Sequence, residues 1–274
     1  MKRYAVRFAE LAAAGRGAFI PFTVLGFPDM ARCAEQLELL AGHADALELG
    51  VPFSDPIADG PTIQRAVATA LQAGATFAQC LSLVKQSRER HPALPIGLLV
   101  YANQVVHRGL ERFYGDVAAA GADSVLVADV PSEEGAPFAK AARRAGVAPV
   151  FIAASNAGAT ALERIAALGA GYTYVLTRAG VTGAEREAEA PSAELFAELA
   201  ARGAPPSVLG FGISRPEQAH AGIAAGAAGV ISGSAVVMRL RALAAGETKA
   251  GEVAAWLSAM RAAAGVRSRQ PDRG

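Results

Sequence analysis

Eight short apolar runs, each followed by a helical stretch, predict a (β/α)8 TIM barrel, an α/β fold whose parallel sheet closes on itself. Two further observations support it. Ala18-Phe19-Ile20-Pro21-Phe22-Thr23-Val24 is a continuous apolar run, the pattern of a strand buried on both faces. Gly121, Gly146, Gly169 and Gly226 sit just past helix ends, where a left-handed turn is wanted. An open doubly wound sheet is the structural alternative, but no GxGxxG opens the first strand-to-helix turn.

Taken in order, residues 1–14 predict an extra N-terminal helix with Tyr4, Phe8 and Leu11 on one side, stopped by Gly15 and Gly17. After the first strand (18–24), Asp29 caps a helix whose apolar positions Met30, Cys33, Leu37 and Leu40 keep the helical period. The second strand (45–49) leads into an acidic, proline-rich loop and helices over about 62–73 and 76–90. The third strand (96–101) is followed by a helix at about 109–120, and the fourth (124–128) by a helix from Ser132. The fifth (149–153) is followed by a helix at about 158–168, and the sixth is 172–176. The seventh (207–211) precedes a helix starting near Arg215, and the eighth (229–232) a short extra helical stretch at 235–238. A last helix near 249–263 carries Val253, Trp256, Leu257 and Met260 on one face. Residues 1–267 are expected to form one domain and 268–274 a disordered polar tail. Residues 177–191 are too long and too polar for a simple turn and are expected to be a lid or a disordered segment.

Composition narrows the function. With 52% apolar and 19% charged residues, 274 residues suffice for one large core. A net charge of +1 and the absence of any Lys/Arg run longer than a pair argue against nucleic-acid binding. The amino terminus has no apolar h-region, and no stretch approaches ~18 uncharged apolar residues, so neither a signal peptide nor a membrane span is expected. Cys33 and Cys80 are isolated and read as buried, reduced thiols, in keeping with a cytoplasmic protein.

In a barrel of this kind the active site forms at the C-terminal strand ends. The polar residues found there are Thr23, Glu48, Asp59, Tyr101, Asn103, Asp129, Tyr174, Thr177, Arg178, Thr182 and Ser234. Glu48 closes the second strand inside a partly apolar mouth, where its pKa should rise toward neutrality and suit proton transfer. Asp59 follows in a loop stiffened by Pro52, Pro56 and Pro61; position alone does not decide whether Asp55 or Asp59 faces inward. Gly183, Gly210, Gly212 and Gly233-Ser234 cluster after strands six, seven and eight, beside the helical stretch at 235–238. This is the usual phosphate corner of such barrels, and it would bind through neutral donors.

The residue census removes several chemistries. A Schiff-base aldolase needs a strand-end lysine, yet Lys2, Lys85, Lys140 and Lys249 all fall in helices or near the terminus. A metal-dependent aldolase needs clustered histidines, and His43, His91, His107 and His220 are scattered. Neither GxSxG nor a Cys–His arrangement is present. Cofactor-free proton chemistry on a small phosphorylated substrate remains, by a lyase or an isomerase.

Residues 47–64, Leu-Glu-Leu-Gly-Val-Pro-Phe-Ser-Asp-Pro-Ile-Ala-Asp-Gly-Pro-Thr-Ile-Gln, closely resemble the signature of the tryptophan synthase α chain family. The stretches 123–131, 178–183, 210–214 and 233–235 support the resemblance, which runs from about residue 4 to 264. It implies retro-aldol cleavage of indole-3-glycerol phosphate to indole and glyceraldehyde 3-phosphate. Glu48 would move the proton at indole C3 and Asp59 would stabilise positive charge on the ring nitrogen. Gly183, Gly212, Gly233 and Ser234 would hold the phosphate, and Thr182 would order the lid and help place Asp59. Phe22, Leu99, Leu126, Ile152, Tyr174 and Phe211 would line the indole pocket. The resemblance further implies no cofactor in this chain and a β chain partner carrying pyridoxal phosphate, in an α2β2 heterotetramer. Asp55 is then expected on the outer, partner-facing side of the loop. The segments 23–28 and 153–156 depart from the family pattern. A stand-alone lyase releasing free indole and a non-catalytic activating subunit are the competing readings.

Overall fold

The computed structural model describes residues 2–176, 193–210 and 212–265. The expected lid, the tail at 268–274, and Thr177, Arg178, Thr182, Gly183 and Phe211 lie outside the described residues. Eight parallel strands close into a barrel in chain order. They are β1 (Ala18–Val24), β2 (Leu47–Gly50), β3 (Ile96–Val100), β4 (Ser124–Val127), β5 (Ala148–Ala153), β6 (Thr173–Leu176), β7 (Ser207–Gly210) and β8 (Gly229–Ser232). β1 pairs with both β2 and β8, which closes the ring.

Side chains alternate across each strand, so two apolar layers form. Ala18, Ile20, Phe22 and Val24 join Ala46, Leu126, Val150, Tyr172, Tyr174, Val208 and Ile231 in the barrel interior. Phe19, Leu47, Leu49, Leu98, Val125, Phe151, Val175, Leu209 and Val230 pack outward against the helices. This is why the strands read as unbroken apolar runs: both faces are covered. Tyr4, Phe8 and Leu11 of α1 (Lys2–Ala13) join the interior layer, so the extra helix stoppers one end of the barrel. Cys33 in α2 (Met30–Gly42) and Cys80 in α4 (Phe77–Arg90) are free and buried, and burial pushes their thiols up to about 11 and about 12.

Five details differ from the sequence expectation. The helix expected at 109–120 is α6 (Leu110–Ala119), and a separate α5 (Ala102–Arg108) precedes it. Gly109, at φ +80°, breaks the two apart, and α5 buries only Val105, which leaves it no apolar stripe to read. Ser132–Glu134 is a 3-10 turn, and α7 begins only at Ala136, running to Arg144. Gly121, Gly146 and Gly226 do adopt positive φ, but Gly169 does not, at φ −73°. Its glycine is required by close approach instead, because a Cβ there would lie 2.6 Å from the Ile165 carbonyl oxygen. The helical stretch expected at 235–238 extends to α11 (Ser234–Ala244), and α12 (Ala250–Ala263) closes the described fold. The sequence reading assigns no helix to α9 (Ala193–Ala201), although Leu195, Phe196 and Leu199 bury one of its faces. Among the described residues no single helix is long and apolar enough to cross a membrane.

Candidate active site

Glu48 lies near the barrel axis. Its register with Phe22 on β1 and Gly97 on β3 sets the side chain on the interior face of β2. The residue is 1% exposed, and its Oε2 accepts a 2.5 Å hydrogen bond from the Tyr172 hydroxyl. Oε1 is buried with no partner among the described residues. Burial pushes the carboxyl up to about 7, and the Tyr172 hydrogen bond offsets part of that rise. Burial, reinforced by the nearby Glu48 charge, pushes the Tyr172 hydroxyl well above its ordinary range, so it remains a donor. Beneath this pair, Tyr4 from α1 shares a 3.1 Å hydrogen bond with Ser124, and its ring lies 5.5 Å from that of Tyr172. Space for the cluster comes from Gly97: a Cβ there would sit 2.5 Å from Glu48 Oε2 and 2.9 Å from the Tyr4 hydroxyl.

Asp59 occupies the loop between β2 and α3 (Pro61–Gln72). The Tyr101 hydroxyl donates to its Oδ2 at 2.8 Å and accepts the Ala58 amide at 3.2 Å. Gln64 Nε2 holds the Asp59 carbonyl at 2.8 Å, and Phe53 stacks on Tyr101 with centroids 5.3 Å apart. These contacts pin the loop over the barrel mouth. Burial raises the Asp59 pKa, opposed by the Tyr101 hydrogen bond. Asp55 is exposed and accepts from the Ser54 hydroxyl, so the inward aspartate is Asp59.

A cavity of about 390 Å³ opens at the strand ends, within the range of small-molecule sites. Asp59, Leu99, Leu126, Ile152 and Tyr174 line it, together with Asp129 and Leu176. Phe22 belongs to the same interior layer but is not on the cavity wall, and neither is Glu48 in this conformation. Asp129 is engaged with the Ala102 amide at 2.7 Å. Two other strand-end candidates point elsewhere. Asn103 is exposed on α5. Thr23 shares the register of Leu49, which places it on the helix side of the sheet.

Of the residues expected at the phosphate corner, Gly212, Gly233 and Ser234 are described and lie at adjacent strand ends, while Gly183 lies outside the described residues. The Ser232 hydroxyl donates to the Ile213 carbonyl at 2.6 Å, tying the loop after β7 to the end of β8 and so drawing Gly212 toward Gly233. Gly212 has φ +70°, and Gly233 and Ser234 are the N-cap and first residue of α11, where the first backbone amides have no partner within the helix. Gly210 serves a different purpose: a Cβ there would lie 2.1 Å from Tyr174 Cζ, so its absence makes room for that ring.

Sequence reasoning misses Tyr172, Tyr4, Ser124 and Gly97 around Glu48, and the role of Tyr101 beneath Asp59. The signal for Tyr172 is present: it is two residues from Tyr174 and therefore on the same interior face. Tyr4 and Ser124 carry no such signal, because their contact spans 120 residues.

Two buried carboxyls at the strand ends of a closed barrel, each held by a tyrosine hydroxyl and neither by a cation among the described residues, are the arrangement of a barrel enzyme. The chain belongs to the tryptophan synthase alpha chain family, whose model matches residues 8–265. It is a lyase of tryptophan biosynthesis, cleaving indole-3-glycerol phosphate. It is 54% identical to the tryptophan synthase alpha chain of Shewanella amazonensis, over 89% of this chain and 92% of that one. The Klebsiella pneumoniae alpha chain is 51% identical over 96% and 98%. Among solved structures, tryptophan synthase of Mycobacterium tuberculosis superposes with a TM-score of 0.85 at 30% identity, covering 97% of this chain and 98% of that one. The Legionella pneumophila alpha chain superposes at 0.83 and 28% identity, covering 96% and 97%.

Proposed function

We propose that Glu48 is the proton-transferring residue of this lyase and Asp59 its charge stabiliser. The observation that carries this reading is the Glu48 carboxyl, pushed up to about 7 by burial and free of any ion pair among the described residues. Such a group exists in both protonation states near neutral pH, which one residue needs if it is to give a proton and take one. Rotation away from Tyr172 brings the carboxyl to the cavity. In the protonated form it donates to indole C3, creating an indoleninium cation. The resulting carboxylate takes the proton of the hydroxyl on the adjacent side-chain carbon. The C–C bond then breaks, its electron pair returns to the ring, and indole and the aldehyde separate. Asp59 on the cavity wall stabilises the cation through the ring nitrogen, held in place by Tyr101.

Leu99, Leu126, Ile152 and Tyr174 take the flat faces of the indole, with Phe22 packed behind them. Gly212, Gly233 and Ser234 take the phosphate. Thr182, Gly183 and Phe211 keep the lid, phosphate and pocket roles that the family resemblance implies. The chemistry asks only for protons and fixed charge, so the chain works without a cofactor of its own. Pyridoxal phosphate belongs to a β chain partner, in a cytoplasmic α2β2 assembly.

The test is indole release from indole-3-glycerol phosphate by the purified chain, with and without a β chain, for wild type, Glu48→Gln and Asp59→Asn. Losses of about 10²–10⁴-fold are expected for Glu48→Gln in either setting. Full activity of Glu48→Gln in the complex would sink the assignment.

A further inference from the structure

A second cavity, of about 530 Å³, opens between the loop after β1, α3 and α11. It shares no lining residue with the cavity that holds Asp59. Phe27 and Val237 form its buried floor, and the exposed side chain of Met238 extends that apolar surface. Arg32, Arg65 and Arg241 ring it, and no carboxylate lines it among the described residues.

The three guanidiniums are poorly satisfied by the protein. Arg32 comes no closer than 3.8 Å to Asp29, which already accepts the Arg32 amide as helix cap. Arg241 is likewise 3.8 Å from Glu247, and Arg65 makes no ion pair among the described residues. Both separations exceed hydrogen-bond distance. Comparably exposed arginines behave differently: Arg144 and Arg164 hold carboxylates at 3.0 and 2.9 Å. Three like charges converging on one concave, partly apolar surface raise the local potential and favour an anion over water.

We propose that this groove binds a small organic dianion carrying an apolar body. Its acid groups are taken by the planar forks of Arg65 and Arg241, with Arg32 adding charge, while its apolar part lies on Phe27, Val237 and Met238. The groove's volume suits a single small molecule.

Amide chemical shifts of the full-length chain test this, with phenyl phosphate, benzene-1,2-dicarboxylate and phenol as probes. The signals to follow are those of residues 62–69 and 237–245. Saturable shifts are expected with a dianion and not with phenol, and the tighter of the two dianions identifies the head group. In the double variant Arg65→Ala/Arg241→Ala, affinity at these signals should fall at least about tenfold, with indole release unchanged. Should that variant fold poorly, Arg65→Gln and Arg241→Gln singly serve the same comparison. Immobile groove signals, equal shifts with phenol, equal affinity in the variants, or binding of an acid-rich peptide but neither dianion would each overturn the proposal.

Discussion

Four carboxylates are buried among the described residues of this barrel, and they divide by partner. Asp45 and Asp123 are 0% and 2% exposed and each meets arginine. Arg261 reaches Asp45 at 2.7 Å, while Arg88 and Arg3 hold Asp123 at 2.5 and 2.9 Å. Glu48 and Asp59 are 1% and 7% exposed, yet among the described residues each carboxyl meets a tyrosine hydroxyl and no cation. Burial is nearly equal in the two pairs, so depth alone does not set the character of a carboxyl. A cation neutralises the charge and turns the residue into a structural tie. A neutral donor leaves the proton free to come and go.

Breaking a structural tie should have the largest effect on stability. Asp123→Ala leaves Arg88 partly buried without its carboxylate and removes the acceptor of the Ile96 amide. A loss of about 3–5 kcal/mol in urea unfolding is expected, with turnover per folded molecule little changed. The reverse pattern is expected for Glu48→Gln, whose effect on stability carries a sign that depends on pH. The folded-state pKa of Glu48 lies above its unfolded value, so the native state holds the extra proton as pH rises from about 4.5 to about 7. Stability from this group is therefore intact below that window and lost across it. Glu48→Gln should leave unfolding near pH 4 almost unchanged and stabilise the chain at pH 8, by up to about 3 kcal/mol. An equal effect at both pH values would mean that Glu48 is not held neutral by burial.

Smaller effects refine the tyrosine side of the comparison. Tyr172→Phe removes the one hydrogen bond that lowers the Glu48 pKa, so the Glu48 limb of the pH–rate profile should move upward. An unmoved limb would show that the two groups do not interact during turnover. Tyr101→Phe should cost Asp59 its anchor and reduce turnover by about tenfold or less, about 1 kcal/mol for one hydrogen bond.

The barrel itself is legible in the chain, because strands covered on both faces must be apolar throughout and helices on one face must be periodic. Glu48 stands out for the same reason: a charge in such a run is an exception that needs an explanation. Asp59 is legible only as one of two loop aspartates, since the contact that turns it inward comes from Tyr101, 42 residues away. The break between α5 and α6 escapes the periodic reading because a single glycine at φ +80° makes it. Gly169 misleads in the other direction, resembling a left-handed cap where the requirement is close packing on Ile165. The arginine-ringed groove leaves no trace at all in the linear order: Arg32, Arg65 and Arg241 come from three distant segments.

The layer around Glu48 also bears on the order in which a newly made chain becomes an enzyme. Tyr4 leaves the ribosome almost first, and Tyr172 only after most of the barrel, yet the two rings must meet beneath Glu48. The burial that raises the Glu48 pKa in the folded chain thus draws on segments from both ends of the order of synthesis. A fragment ending before residue 172 would contain Glu48 and Asp59 but not the hydroxyl that holds the Glu48 carboxyl.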